Sequence, residues 1–578
     1  MAEPSSAVGQ DATRGLEYGD TNYNNEKAAQ TKPSSSESES ETEAEAAPVQ
    51  YALPRLDTYE SEFDHNNVHL DRTTTGASSY VAPHLSLWHE ICFVGVVCSA
   101  QLMTQAGLGP ALTTGHVIGE NFGLQHPGDL AWFLAAYSLT VGTFILVAGR
   151  LGDLFGHKRM VVLGYAWFGV WSIICGLSVY SGYIMFDIAR ALQGLGPALL
   201  LPNGLAILGS AYPPGPRKHM VFALFGACAP GGAIIGSVFA GLFALVWWPW
   251  AFWSFGLGLF ALAALAWFII PADGPSYHDQ RETGFAARLK QMDVAGGSVG
   301  VVALILINVA WNQAPIAGWD EPYVIVLLIL GVLLVPVFFY IELRIASNPI
   351  LPLEALKSSD IAFVLGCIAC GWGCFGIWIF YLWQFYLQLR EATPLLATAW
   401  FSPVALSGAA AAVATGLILG RIGPAWTMVC ALSAFLAGVL LIATMPIDQT
   451  YWGQGFVCVL IMTWGMDMSF PASTVILSDA VGKKHQGIAA SLVNTVVNYS
   501  ISLALGFAGT AEVHVHAGRE GKQAVLEGYR AALYVGVGLA GLGWLLSLVF
   551  LWHHTRRNKQ RQLQEREAEK RTGEAGVQ

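Results

Sequence analysis

Two ionisable side chains stand deep in apolar sequence, and their types set the chemistry open to this chain. Asp467 lies in Gly465-Met-Asp467-Met-Ser-Phe470-Pro471, a carboxylate near the middle of a long apolar run. A carboxylate there can bind and release a proton, and an intramembrane ionisable residue is a functional candidate by default. Arg190 stands early in another such run, where a charge costs at least ~2.5 kcal/mol on insertion scales. Arginine hardly deprotonates, so its expected work is to tune a carboxylate or hold a substrate. Asp187 comes one turn before it on the same face, and a local ion pair is expected to reduce the cost. Proton coupling is therefore assigned to Asp467, Arg190 and Asp187. Glu90, Glu342 and Asp479 fall near the ends of apolar runs, where water solvates them.

Polar residues at helical spacing mark candidate walls of a substrate cavity. Gln101 and Gln105 share one helix face, as do Gln384 and Gln388, and Asn494 and Asn498. Trp372, Trp383 and Trp464 offer planar faces to a flat solute. Interhelical hydrogen bonds and lipid-interface aromatics are the alternative reading of the same residues.

Other patterns carry no chemistry. Gly371-Trp-Gly373-Cys-Phe-Gly376 matches a dinucleotide fingerprint but lies in an apolar run with no strand before it. Cys367, Cys370 and Cys374 have no histidine or carboxylate beside them, so they read as packing residues and no metal is expected. All nine cysteines fall in apolar segments, which implies no disulfide. Asn498-Tyr-Ser500 fits the glycosylation pattern but sits inside a helix. No Gly-x4-Gly-Lys-Ser/Thr occurs, so energy for uphill transport is expected from an ion gradient, and no cofactor is implied.

The elements that position these residues are membrane helices. The 578 residues have a mean hydropathy of +0.49 and are only 12% charged, too apolar to cover the surface of a soluble chain. Runs of about 20 residues, enough to cross ~30 Å of hydrocarbon, recur along most of the length. They place helices near 88–112, 131–149, 160–180, 184–211, 219–245, 250–270, 294–313, 323–343, 361–388, 396–419, 425–445, 454–479, 487–510 and 531–552. Loops on one side carry Arg150, Lys158, Arg159, Arg217, Lys218, Arg281, Arg288, Lys290, Arg344, Lys357, Arg421, Lys483 and Lys484. Those on the other carry Arg390, Arg519, Lys522 and Arg530. This bias puts both termini in the cytoplasm. Residues 1–84 are polar and acidic, include no apolar signal core, and read as a disordered cytoplasmic tail. Residues 554–578 form a charged cytoplasmic tail. Nothing resembles a basic nucleic-acid surface.

An internal repeat divides the helices. Gly149 and Gly156 bracket one short connection and Gly416 and Gly423 another, the pairs offset by 267 residues. Arg217-Lys218-His219 and Lys483-Lys484-His485 recur at an offset of 266. Duplicated six-helix halves follow, at 85–272 and 346–553, with two inserted helices in 273–345. Parallel repeats of this kind place the substrate near the midplane between rocking halves.

These residues resemble signatures of the major facilitator superfamily. Gly149, Leu151, Gly152, Asp153, Gly156, Lys158 and Arg159 match its motif A, although Leu154 and His157 stand where basic residues are usual. Arg190-Ala-Leu-Gln193-Gly194 is similar to motif B. Pro230, Gly232 and Gly236 resemble motif C of exporters, with the proline displaced. His89-Glu90-Ile91, Gln101-Leu-Met-Thr-Gln105 and Gly465–Pro471 look like the fungal aminotriazole-resistance and boron-exporter subgroup of the fourteen-spanner drug:proton antiporters.

The resemblance implies an all-α membrane protein with the major facilitator fold, fourteen helices arranged six, two and six. It implies that Gly149, Arg150, Asp153, Gly156, Lys158 and Arg159 form a conformational latch, against the simpler reading of a topology anchor. It also associates Arg190 with proton transfer. The expected function is proton-coupled efflux of a small toxic or secreted compound at the plasma membrane, with the vacuolar membrane as the other location. The expected partners are a small-molecule substrate, protons and the bilayer, and a monomer is compatible with all of these. An importer or siderophore-type carrier is the alternative, and a non-transporting sensor a more distant one. An enzyme is not expected, since no nucleophile–base constellation occurs.

Overall fold

The computed structural model describes residues 81–124, 127–213, 216–271, 292–346, 349–350, 359–480, 486–516 and 519–575. The readings for residues 1–80 lie outside these, as do those for Arg281, Arg288, Lys290, Lys357, Asp479's side chain, Lys483, Lys484 and His485. Among the described residues every regular element is helical.

In chain order the α-helices are α1 Leu87–Ala106, α2 Gly109–Phe122, α3 Pro127–Phe155, α4 His157–Leu177, α5 Tyr183–Gln193, α6 Leu195–Ala211, α7 Pro216–Ala244 and α8 Pro249–Ile269. They continue with α9 Val294–Ala317, α10 Pro322–Arg344, α11 Ser359–Gln384, α12 Pro394–Phe401, α13 Pro403–Ala443, α14 Gln454–Ala480, α15 Gln486–His516 and α16 Lys522–Ala575. A π-turn at Phe385–Leu389 extends α11.

Starts are set by local chemistry. Ser86 caps α1, Asp293 caps α9 through a 2.9 Å bond to the Gly296 amide, and Thr393 caps α12. Proline stands in the first turn of α8, α10 and α12, where its missing N–H costs nothing.

Among the described residues, thirteen helical stretches are long and apolar enough to cross a membrane. One of them, Pro394–Ala443, has 50 residues, about 75 Å of helix and more than two bilayer cores. Gly423 breaks it at φ +80°, so counting it twice gives the expected fourteen. Gly156, the equivalent of Gly423 at an offset of 267 residues, separates α3 from α4 at φ +100°. Only glycine adopts such angles cheaply.

Several edges differ from the sequence reading. The first span runs on to Phe122, interrupted near Gly107 rather than ending at 112. The connection read as a loop at 149–159 is helix except at Gly156, because α3 continues to Phe155. Helix α15 reaches His516, and Lys522 and Arg530 belong to the first turns of α16 instead of a loop.

Two large apolar cores form. One joins Val97, Tyr165, Phe168 and Leu208 within α1–α8, and the other centres on Trp378, Leu432, Phe435 and Met462 in α11–α16. Leu112, Ala131, Leu134 and Ala135 of the earlier helices enter the second core. Helix α9 packs against α3 and α15, whereas α10 packs chiefly on α9.

Candidate functional site

Arg190 is fully buried at the meeting of α1, α3 and α5. Gly194 ends α5 against α3, where an added Cβ would lie 2.4 Å from the Tyr137 carbonyl, so the helix end approaches without a side chain between. The guanidinium donates from Nε to the Phe133 carbonyl at 2.9 Å, and from Nη1 to the Gly107 carbonyl at 3.0 Å and to Gln193 Oε1. It also stands 4.7 Å from the centre of the Tyr137 ring. Gln193 in turn donates to Ser172 Oγ at 2.7 Å.

The expected ion pair with Asp187 is absent: among the described residues no carboxylate oxygen lies within 4.0 Å of an Arg190 guanidinium nitrogen, and Asp187 Oδ1 has no hydrogen-bond partner. Carbonyls of α3 and of the Gly107 break take the place of the carboxylate. A planar fork with five donors suits several fixed acceptors better than one.

Asp467 stands elsewhere, on α14, and no hydrogen bond or ion pair among the described residues joins it to Arg190. Its Oδ2 is buried without a partner among the described residues. A Cβ on Gly408 of α13 would lie 3.1 Å from that oxygen and 3.0 Å from Pro230 Cγ of α7. The carboxylate therefore meets the displaced proline across one glycine, at a seam between an early and a late helix. Trp464 is one turn earlier on α14 and half-buried, and Trp372 donates to Ser469 Oγ at 3.1 Å.

A second seam runs antiparallel between α3 and α15. Ser502 Oγ lies 2.8 Å from the Ala135 carbonyl, a Cβ on Gly142 would meet the Tyr499 nitrogen at 2.6 Å, and one on Gly149 would sit 3.5 Å from Ser491 Oγ. Asn498 reaches this seam with its backbone, while its side chain donates to the Asn494 carbonyl at 3.0 Å.

The remaining polar pairs divide. Gln101 and Gln105 are half-buried on α1. Gln384 is buried with Oε1 unpartnered among the described residues, whereas Gln388 is exposed and accepts a 2.5 Å bond from Tyr529. Trp383 is buried against Phe401, with ring centres 5.5 Å apart.

Around Gly156 the charges are shared out differently from the expected pairing. Asp153 lies 3.9 Å from Arg150 and 3.8 Å from His157, so the residue that departs from the usual basic pattern is itself a partner. Lys158 instead donates to the Ile270 carbonyl at 2.5 Å and stands over Trp267, and Arg159 is exposed. His157 Nδ1 also lies 2.8 Å from Asn203 Oδ1.

The glycines of α7 are used for close approach. A Cβ on Gly232 would lie 2.2 Å from the Leu102 carbonyl, and one on Gly236 2.2 Å from the Ala106 carbonyl. Helices α7 and α1 thus touch backbone to backbone.

Two polar clusters were not anticipated. Asn312 of α9 donates to the Ser502 carbonyl at 3.1 Å, and Ser502 Oγ is 2.8 Å from Asn308 Oδ1. The spacing of Asn308 and Asn312 at i and i+4 was the available signal. Glu512 is buried and accepts a 2.6 Å bond from Tyr381. It was hidden because the sequence reading ended that helix at 510.

Comparison with known proteins follows the same lines. The family model described as Major Facilitator Superfamily matches residues 93–507. A low affinity ammonium transporter of Saccharomyces cerevisiae is 55% identical over 481 residues, 83% of this chain and 92% of that protein. Efflux pump terG of Aspergillus terreus is 44% identical over 499 residues, 86% and 93% of the two chains. The aminotriazole resistance protein of Saccharomyces cerevisiae is 39% identical over 471 residues, 80% and 84%. Among solved structures, a peptide transporter POT in complex with sulfate aligns with a TM-score of 0.57 at 14% identity, covering 83% of this chain and 98% of that one, so the fold is shared.

Proposed function

The chain belongs to the Major Facilitator Superfamily, and from that premise we propose that it exports a small solute in exchange for protons. It is a multi-pass membrane transporter and not an enzyme. The observation that carries the coupling is Asp467. Its Oδ2 is buried, without a partner among the described residues, where α14, Gly408 of α13 and Pro230 of α7 converge. A carboxylate at a seam between helices that slide on one another changes its surroundings as the transporter changes state, which is what proton exchange requires. Loss of the proton and arrival of solute then favour opposite arrangements.

The two cores and the matching breaks at Gly156 and Gly423 support halves at 85–272 and 346–553, with 273–345 inserted. Loop charges support cytoplasmic termini. The Asp153 cluster acts as the latch at that face, and Arg190 with Asp187 tunes the first half. Gln101, Gln105, Trp372, Gln384, Trp464 and Asn494 are the wall residues proposed for the solute path. Efflux is supported by the name of the Aspergillus terreus relative, and a small nitrogen-containing cargo by those of the two yeast relatives. The ammonium transporter's name also favours a second reading, a carrier of small cations. The plasma membrane is the proposed location and a monomer the proposed working unit.

The test is expression in a host lacking its own exporters. Retention and toxicity of aminotriazole, borate, methylammonium and planar drugs are compared between wild type and Asp467→Asn at equal surface levels. Wild type is expected to lower the retention of at least one compound, and the variant to abolish that effect. Equal retention with and without wild-type protein for every compound rejects export of these solutes. Wild-type transport by Asp467→Asn removes that residue from the mechanism.

A further inference from the structure

Glu512 is a buried carboxylate that neither the seam at Asp467 nor the Arg190 cluster uses. It lies one turn before the end of α15 and is 3% exposed. Its hydrogen bond is the 2.6 Å donation from Tyr381 of α11, and no described ion pair includes it. A carboxylate held away from water without a cation is costly, so such a group is occupied by a proton for part of its working cycle.

The surroundings give that proton a route. The Tyr381 ring stands 5.4 Å from the ring of Tyr529 on α16, and Tyr529 donates at 2.5 Å to Gln388. Gln388 is exposed, and the next residue, Leu389, lines an open cavity of about 590 Å³ together with Arg390 and Lys522. Gln388 and Tyr529 thus stand between an open face of the molecule and the Tyr381–Glu512 pair, and a ring contact joins the two tyrosines. Tyr381 and Tyr529 are the titratable groups that face Glu512. Helices α3, α6, α9 and α14, also packed on α15, bring no ionisable side chain into hydrogen bond or ion pair with it among the described residues.

We propose that Glu512 is a second proton-binding group of this transporter, exchanging with the face that carries Gln388 and Lys522. In the step envisaged, the Glu512 carboxylate takes one proton from hydronium at that face, leaving water, and releases it to water at the opposite face after the change of state. Tyr381 stays bonded to the carboxyl throughout. Because α11, α15 and α16 all contribute to the cluster, filling it alters the bonding between three helices of the later half. The proposal rests on the proton-coupled reading for its role in transport, but not for protonation itself.

The test therefore has two arms, both on the full-length protein. In infrared difference spectra recorded across pH, wild type is expected to show a carboxylic-acid carbonyl band that Glu512→Gln lacks and Asp467→Asn keeps. Tyr381→Phe is expected to displace that band, since it removes the hydrogen bond. Identical titrating bands in wild type and Glu512→Gln overturn the proposal. Should Glu512→Gln fail to fold, an unshifted set of bands in Tyr381→Phe overturns it instead. In proteoliposomes with aminotriazole as probe, Glu512→Gln is expected to lose accumulation driven by a pH gradient while keeping exchange of labelled for unlabelled probe. Wild-type gradient-driven accumulation by that variant also overturns the proposal. If wild type itself ignores the gradient, the coupling reading fails, and the infrared arm still decides whether Glu512 takes up a proton.

Discussion

Arg190 and Asp187 lie one helical turn apart on α5, yet the guanidinium turns away from the carboxylate and binds the carbonyls of Phe133 and Gly107. The charge is thus held by α3, the Gly107 break, the Tyr137 ring and Gln193 of its own helix rather than by Asp187. Asp187→Asn is expected to leave the thermal midpoint in detergent nearly unchanged. Arg190→Lys keeps the charge but loses the fork that reaches several acceptors, and hydrogen bonds to charged groups are worth about 1.5–3 kcal/mol each. A clear drop in midpoint is expected for Arg190→Lys. Equal midpoints for the two variants would show that the carbonyl contacts do not hold the site.

The glycines of α7 separate packing from composition. Gly232→Ala and Gly236→Ala place a methyl 2.2 Å from carbonyls of α1, so the helices must part, at a typical cost of about 1–3 kcal/mol. Gly231, the residue before Gly232, has nothing within 4 Å of its added Cβ. Gly231→Ala is expected to be neutral or slightly stabilising, and the other two to lower both folded yield and transport. Fluorescence size-exclusion profiles of the three variants check this directly.

Gly423 tests the break that makes fourteen spans out of thirteen stretches. Its φ of +80° suits glycine, and nothing lies within 4 Å of an added Cβ, so a substitution there is penalised by backbone conformation alone. Gly423→Ala is expected to destabilise by about 1–3 kcal/mol. Gly420→Ala, helical and equally unobstructed, is expected not to. Matching thermal midpoints would mean that the break does not depend on glycine.

Ser502 links α3, α9 and α15 through one hydroxyl. Interhelical hydrogen bonds in membranes average about 0.6 kcal/mol, so Ser502→Ala alone is expected to cost little. Asn308→Ala removes a partner of the same hydroxyl. The double variant is expected to be less destabilised than the sum of the singles, because both remove one shared contact. Additive effects in a thermal-melt cycle would uncouple the inserted helix from this seam.

What was legible in the sequence is what short stretches of chain decide by themselves. Apolar length placed the spans, and the 267-residue offset identified the two glycines that break helices at positive φ. The glycines of α7 announced close packing, since small residues at helical spacing serve little else in lipid. Even there, edges shifted. Polar residues such as Glu512 and Lys522 looked like loop, although tertiary contacts carry helix through both.

By itself, then, the sequence determined a bundle of fourteen membrane-crossing helices with a repeated break and a few ionisable groups too costly to be accidental. Only the tertiary structure decided what those groups face: carbonyls for Arg190, His157 as well as Arg150 for Asp153, Pro230 across Gly408 for Asp467, and Tyr381 for Glu512. The reason is physical. Helix formation in lipid answers to the apolar length of one segment, whereas the partner of a buried charge is chosen among all helices packed around it.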